Sequence, residues 1–396
     1  PFFSFGQDFF TIKDSLKGSL TPERIWWDVM KYSLDITPDI SNRKIKGCNQ
    51  IDFKVINESG KMQIDLLYPM KIDSVIFDNK QLKFERTQNL YYLNFNHTFI
   101  KNQIYQVSIY FSGIPHEAEL APWQGGWVWK LDALGRPFVS VACQGLGASA
   151  WYPCKDHQSD EPDFGAEITL LYTKNDLIGV SNGQLKLMEI DSEGERIMKW
   201  EVSQPINNYN IVSYFGYYKK WSEVYSGEKG NLKCEFWVLD YELVKAKKQF
   251  RQATEMLACF EHWFGPYPFY EDGFKIVQAP FLGMEHQSAI AYGNGFENGY
   301  KGKDLSESGW GLKWDFILVH ESGHEWFGNN ITSKDIADMW IHEAFTNYSE
   351  VLFTECKFGK KAGEEYAVGL RHNIKNDKPI IGKYDVHNEG SGDMYY

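Results

Sequence analysis

Alternating apolar and polar residues dominate the first half of the chain. Segments 51–56 (IDFKVI), 62–68 (MQIDLLY), 90–95 (LYYLNF) and 104–111 (IYQVSIYF) carry apolar side chains largely at alternate positions, and the turns between them are rich in Asn, Gly, Asp and Lys. Segment 168–202 continues in the same style. This pattern predicts short strands in a large antiparallel sheet or sandwich.

The pattern changes near residue 215. Leu243, Phe250, Leu257 and Phe264 recur every seven residues, which predicts one apolar helix face that ends at Gly265. Two further helices are predicted, one over 312–328 and one over 338–359. We therefore expect a β-rich N-terminal domain over residues 1–215 and a mainly α-helical domain over residues 216–396.

Composition narrows the class of protein. Hydrophobic residues make up 43% of the 396 residues, so the chain is expected to fold. The net charge of −12 argues against nucleic acid or an anionic membrane as a main partner. No apolar run approaches the roughly 18 residues that a membrane-spanning helix needs. The sequence does not indicate an oligomeric state.

Two features bear on the compartment. The six cysteines form no Cys-x-x-Cys pair, so we expect scattered buried thiols, although the even number leaves disulfides open. The chain begins with PFFSFGQDFF, without an initiating Met or a basic-then-apolar leader. We expect a periplasmic or secreted protein whose signal peptide has been removed.

A short motif in the second half carries the candidate chemistry. HESGHEWFG contains His320, Glu321 and His324. Residues at i and i+4 lie on one face of a helix, so both imidazoles can bind one metal ion. An antiparallel second helix would bring Glu343 back as the third protein ligand of a catalytic zinc site. We predict one Zn²⁺ per chain on His320, His324 and Glu343, with Glu321 as the general base.

The motif resembles the zinc site of the gluzincin aminopeptidases, the aminopeptidase N-like family, because 18 residues separate the second histidine from Glu343. Segment FLGMEHQ resembles the Gly-x-Met-Glu-Asn strand of this family, with His286 in place of Asn. The resemblance implies that Glu285 binds the free α-amine of a substrate. It also implies that the strand with Gly283 and Met284 pairs with the substrate backbone.

Further site residues follow from the same resemblance. Gln144, in VACQGLG, matches a family position that lends Gln or Glu to the amine site. Tyr395 resembles the catalytic tyrosine that donates a hydrogen bond to the oxyanion, with Tyr396 as the alternative. We also expect Asp338 and Glu350 to contact the zinc histidines from outside the metal site.

The resemblance implies a multidomain α+β fold. An N-terminal antiparallel β-sandwich or saddle domain precedes a thermolysin-like catalytic domain, which is incomplete at its C-terminus and lacks the family's C-terminal helical domain. The implied function is a zinc-dependent aminopeptidase that acts on peptides with a free N-terminus. Because Tyr395 is the next-to-last residue given and chain ends usually fray, we expect it to be displaced from the metal and the chain to be nearly inactive. A thermolysin-like endopeptidase and a catalytically silent, zinc-stabilised binding module stay open as alternatives.

Overall fold

The computed structural model describes residues 15, 17–172, 176–192, 194–387 and 392–395. In the described residues up to 216 the chain forms three sheets, in agreement with the alternating pattern of the sequence. The eight-stranded sheet has the spatial order Gln184–Ile190, Arg196–Val202, Ala166–Tyr172, Trp27–Asp39, Lys44–Val55, Ile104–Gly113, Lys71–Phe77 and Lys80–Gln81. The four-stranded sheet has the order Ile178–Val180, Tyr214–Gly216, Pro137–Ala142 and Gly126–Leu131, and the three-stranded sheet Lys61–Asp65, Leu90–Asn94 and Phe84–Thr87.

Strand Trp27–Asp39 shows how the sequence builds the large sheet. Val29, Tyr32, Leu34 and Ile36 are buried, whereas the residues that alternate with them after the bulge face outward or are half-buried. The strand pairs with Lys44–Val55 in antiparallel fashion and with Ala166–Tyr172 in parallel. This one pair is parallel because a crossover joins strands distant in sequence, and the other pairs of the sheet are antiparallel as expected.

A different sheet begins with Tyr218, next to the domain boundary predicted at 215. Its five strands have the order Tyr218–Gly227, Gly230–Leu239, Phe274–Gln278, Ile290–Tyr292 and Gly283–Met284. The α-helices from Pro22 onward in the described residues are Pro22–Ile25, Leu243–Gln249, Gln252–Phe264, Phe316–Gly323, Trp340–Phe358 and Lys360–Leu370. A β-rich domain followed by a helix-rich catalytic domain confirms the predicted fold class. No helix among the described residues has the length and apolar character needed to cross a membrane.

Two predicted helices differ from those observed. The helix predicted up to Phe264 is interrupted at Phe250, whose ring packs in the core with centroids 5.6 Å from Phe236 and 4.8 Å from Tyr292. The helix predicted to end near Gly328 ends at Gly323, and His324 is its C-cap residue. Tertiary contacts of these aromatic and metal-site residues override the local helical pattern.

Apolar side chains form two clusters, one under the N-terminal sheets and one between the five-stranded sheet and the helices. The first cluster extends across the domain boundary, because Val277, Phe281 and Met284 belong to it. Lys275 crosses the same boundary: its buried Nζ donates to the carbonyls of Ser181 and Gly183. The two domains therefore share a continuous interior around the segment that carries Glu285.

The expectation that all six cysteines are free thiols is wrong for two of them. A disulfide joins Cys259 to Cys356 and so connects helix Gln252–Phe264 to helix Trp340–Phe358. The other four cysteines are buried thiols. The helical pairing that brings Cys259 and Cys356 together spans 97 residues of sequence, so spacing alone did not indicate it.

Candidate metal centre and active-site cleft

Helix Phe316–Gly323 positions the first metal-ligand candidates. The side chain of Asp315 caps its N-terminus by accepting a hydrogen bond from the backbone N–H of Leu318. His320 lies on its last turn and His324 at its C-cap, so the predicted i, i+4 spacing is retained. The two imidazole rings meet edge to face with centroids 5.0 Å apart.

Helix Trp340–Phe358 brings Glu343 to these histidines, as the predicted antiparallel return requires. Its Oε2 lies 3.8 Å from Nε2 of His320 and 3.6 Å from Nε2 of His324. One ligand atom of each residue lies within 4.8 Å of the others. Two ligand atoms at zinc distance from a tetrahedral ion are roughly 3.3–3.5 Å apart, so the arrangement is close to that of a zinc site.

The tautomers of both histidines suit metal binding. Nδ1 of His320 lies 2.7 Å from Oε1 of Glu350, and Nδ1 of His324 lies 3.0 Å from the carbonyl oxygen of Phe327. A carbonyl or a carboxylate oxygen accepts a hydrogen bond, so Nδ1 carries the proton and Nε2 keeps its lone pair. Burial lowers the pKa of both imidazoles to about 4, which keeps them neutral at neutral pH. The residues therefore fit a zinc ion.

A second group with metal-ligand chemistry overlaps the first. Glu285, Glu321 and His324 also present ligand atoms within 4.8 Å of one another. His324 has one imidazole lone pair, which both groups would need. Oε1 of Glu285 already accepts hydrogen bonds from Gln144 and Tyr209. The first group is therefore the better metal site, and the two carboxylates of the second group are available for other roles.

Glu321 lies in the interior of the cleft with 8% of its surface exposed. Burial raises its pKa well above the usual range, and the charges of Glu285 and Glu350 add to this effect. The segment with Gly283 approaches it closely: a Cβ atom at Gly283 would lie 2.5 Å from Oε1 of Glu321. Only glycine leaves room for the carboxylate in this position.

Gln144 and Glu285 meet across the domain boundary. Nε2 of Gln144 donates to Oε1 of Glu285 at 2.6 Å and lies 3.5 Å from Oε1 of Glu343. Tyr209, which was not identified from the sequence, donates its hydroxyl proton to the same Glu285 oxygen at 2.9 Å. Asn329, also missed, donates to the backbone carbonyl of Glu285 at 2.7 Å. Neither residue belongs to a motif from which we inferred a chemical role, so only the folded structure identifies them.

One cavity of about 840 Å³ is lined by the metal-ligand candidates, by Glu321 and by the Gln144–Glu285 pair. Gly283 and Met284 line it from the strand at the edge of the five-stranded sheet. Tyr395 also lines it, although we expected this residue to be displaced from the metal. The short 3₁₀ turn Gly392–Tyr395 packs on helix Trp340–Phe358 and holds Tyr395 there. The alternative Tyr396 lies outside the described residues.

Two supporting contacts were predicted, with different outcomes. Glu350 contacts His320 as expected. Asp338 contacts neither zinc histidine, since its carboxylate instead accepts hydrogen bonds from Trp340 and Tyr384. Asp338 is the last residue of a 3₁₀ turn just before helix Trp340–Phe358, and its side chain contacts these two nearby residues.

Two protein-family models match the chain, one in each of its domains. The Peptidase M1 N-terminal domain model matches residues 29–209, and the Peptidase family M1 domain model matches residues 249–385. Aminopeptidase B of Mus musculus is 26% identical over 230 residues, which is 57% of this chain and 31% of that protein. A probable aminopeptidase 1 of Saccharolobus solfataricus is 22% identical over 328 residues, which is 81% of this chain and 38% of that protein.

Solved structures share the fold. The M1 zinc metallopeptidase from Deinococcus radiodurans superposes with a TM-score of 0.76 and 16% identity, over 92% of this chain and 78% of that chain. A mutant of it bound to a Tyr-Ser-Ala substrate gives the same TM-score of 0.76 and covers 79% of that chain. The chain spans about a third of the length of the curated aminopeptidase B relatives that it matches.

Proposed function

This chain belongs to the M1 peptidase family, the aminopeptidase N-like family, and we propose that it is a zinc-dependent aminopeptidase. The proposed reaction is hydrolysis of the first peptide bond of a peptide with a free N-terminus. The observation that carries the proposal is the Gln144–Glu285 pair beside His324 and Glu343. An anchor for a cationic amine at this short distance from a metal site selects the first peptide bond.

His320, His324 and Glu343 would hold one zinc ion. When bound there, zinc supplies a Lewis acid that polarises the scissile carbonyl and lowers the pKa of a water molecule. Glu350 and the Phe327 carbonyl keep both imidazoles in the tautomer that leaves Nε2 free for the ion. The resemblance to relatives whose names describe zinc metallopeptidases supports zinc over other divalent ions.

Glu321 is the proposed general base. Its carboxylate presents an oxygen within 4.8 Å of a ring nitrogen of His324, from where it can take up a proton from the attacking water and then pass that proton to the leaving amine. Tyr395, on the wall of the same cavity, is the proposed hydrogen-bond donor to the oxyanion of the tetrahedral intermediate. Because Tyr395 lines the cavity, we expect this chain to hydrolyse peptides itself.

Glu285, Gln144 and the edge strand would bind the substrate. The carboxylate of Glu285 can exchange its hydrogen bonds with Gln144 and Tyr209 for a charge-assisted bond to the α-ammonium group. The Gly283–Met284 strand is at the sheet edge, so its outer backbone groups are available to an extended peptide. Together these contacts orient the N-terminal residue with its carbonyl towards the metal ligands.

We also propose an oxidising compartment, in keeping with a secreted or periplasmic protein. The disulfide between Cys259 and Cys356 supports this, because such bonds persist where thiols are not kept reduced.

Product analysis tests the proposed activity. The zinc-loaded chain is incubated with a free pentapeptide, and the products are followed by mass spectrometry. Stepwise loss of single residues from the N-terminus is the expected result, whereas internal fragments would favour the thermolysin-like alternative. Glu321→Gln should retain zinc and lose about a hundredfold or more in kcat, as a base and not a ligand would. Zinc retention without hydrolysis by the wild-type chain would favour the binding-module alternative.

A further inference from the structure

An exposed tryptophan lines the active-site cavity. Trp123 has 56% of its surface exposed, yet its side chain belongs to the cavity wall. Leu120 and Gln124 exchange backbone hydrogen bonds across the turn that presents it. A large aromatic ring held in water at the entrance of a cleft, without a place in the core, is typical of a binding surface.

The turn with Trp123 lies beside the amine anchor. Gly125 packs against the backbone of Ala142 and Cys143, since a Cβ atom there would lie 2.4 Å from the Ala142 carbonyl oxygen and 3.3 Å from Cα of Cys143. Gln144 follows directly in sequence. Trp123 and Gln144 therefore reach the cavity from the same part of the β-rich domain.

The cavity wall is apolar around this anchor. Leu282 and Met284 line it from the strand that leads into Glu285, and Pro122 lines it next to Trp123. A peptide whose α-amine is at Glu285 has its first α-carbon between that carboxylate and the metal ligands, so the first side chain projects onto these walls.

The carboxylates among the described cavity-lining residues already have proposed roles in the reaction. Among the described residues that line it, the carboxylates are Glu285, Glu321 and Glu343, which are the proposed amine anchor, base and metal ligand. A basic first side chain would find no further carboxylate among the described lining residues. An acidic first side chain would find no lysine or arginine among the described lining residues.

We infer, on the basis of the proposed aminopeptidase activity, that the cleft selects peptides with a bulky, uncharged, apolar N-terminal residue. Trp123 is the specificity-determining residue on the β-rich side. Contact with its ring strengthens binding of Phe or Leu at the first position and contributes little to Ala. In an apolar pocket, each methylene-sized group that a substrate lacks lowers kcat/KM by about tenfold or more.

Dipeptides of the form X-Ala test the inference, because their second residue is constant. For the zinc-loaded chain, kcat/KM should be at least about tenfold higher with X as Phe or Leu than with Lys or Glu. Trp123→Ala should reduce the Phe-to-Ala ratio at the first position by about tenfold. Leu120→Ala removes an apolar side chain that is 58% exposed on the same turn, so it is the matched control and should leave the ratio unchanged.

Binding to the zinc-loaded Glu321→Gln variant, measured by calorimetry, separates this inference from the proposed function. If Kd ranks the N-terminal residues X in the same order as kcat/KM is expected to, the inference is supported even where turnover is slow. Equal kcat/KM or Kd for all X, or a preference for Lys or Glu, overturns the inference and leaves the aminopeptidase proposal standing. Absence of both hydrolysis and binding would overturn both.

A second series, Phe-X, varies only the second residue. The Trp123→Ala variant should retain the wild-type order of X in this series, and an unchanged circular dichroism spectrum and Tm should show that it folds. Loss of discrimination at the second residue but not at the first would assign Trp123 to a different part of the substrate and overturn its proposed role.

Discussion

Oε1 of Glu350 lies 2.7 Å from Nδ1 of His320, and this contact joins the two helices that carry the metal ligands. The other oxygen of Glu350 accepts a hydrogen bond from Tyr366 at 2.7 Å. Tyr366 therefore holds one oxygen of the Glu350 carboxylate, and the other oxygen orients the imidazole of His320.

Glu350→Ala should weaken zinc binding by about 10- to 100-fold, because His320 loses the acceptor that sets its tautomer and orientation. Competition with a chelator of known affinity measures this. Glu364→Gln, on the next helix and exposed, is the control and should bind zinc as the wild-type chain does. Wild-type affinity in Glu350→Ala would contradict a supporting role for this carboxylate.

Gly283→Ala should damage catalysis without removing the metal. The new Cβ would lie 2.5 Å from Oε1 of Glu321 and 2.8 Å from Cγ2 of Ile317, so the base must shift. A shift of a catalytic group by about 1 Å lowers kcat by about a hundredfold. Zinc content by elemental analysis should be unchanged. Undiminished kcat would show that the carboxylate of Glu321 does not need its observed position.

Removal of the disulfide should lower stability. The double variant Cys259→Ala/Cys356→Ala should lose about 2–4 kcal/mol in the free energy of unfolding, because the bond closes a long loop in the unfolded chain. Urea titration with and without reductant measures this: reductant should destabilise the wild-type chain and leave the variant unaffected. In the unreduced, denatured wild-type chain, alkylation should label four cysteines. Labelling of all six would contradict the bond.

Lys275 should make stability depend on pH. Burial lowers the pKa of Lys275 from 10.5 to about 7 in the folded chain. The unfolded chain then binds more protons between these two values, so the contribution of Lys275 to the free energy of unfolding rises with pH across that window. Between pH 7 and pH 9 the rise is about 2 kcal/mol.

Lys275→Met isolates this contribution because it removes the titrating group. The free energy of unfolding of the wild-type chain minus that of the variant should increase from pH 7 to pH 9, in urea titrations at each pH. A difference that is independent of pH would show that the ammonium group keeps its ordinary pKa in spite of burial.

The grouping of the candidate metal ligands His320, His324 and Glu343 was predictable from the sequence because local geometry determines most of their arrangement. His320 and His324 share a helical face by their spacing alone, and an antiparallel second helix returns Glu343 to the same place. Alternating residues such as those of Trp27–Asp39 likewise predicted strands with one buried face.

Contacts between distant segments were not predictable in the same way. Tyr209 and Glu285 are 76 residues apart and meet only because two domains share an interior. Asp338 was expected to contact a zinc histidine, yet its carboxylate accepts hydrogen bonds from Trp340 and Tyr384. Side-chain direction at such points depends on neighbours that a periodic pattern does not contain.

The proposed mechanism depends on Glu285, which binds the free α-amine of a peptide whose first peptide bond is then hydrolysed. The most direct measurement is kcat/KM of the zinc-loaded chain for Phe-Ala-Ala and for its N-acetylated form, with Glu285→Gln measured alongside. Acetylation removes the positive charge, so the wild-type chain should cleave the blocked peptide at least about a hundredfold more slowly, and the variant should lose most of this discrimination. Equal cleavage of the free and blocked peptides by the wild-type chain would contradict the claim.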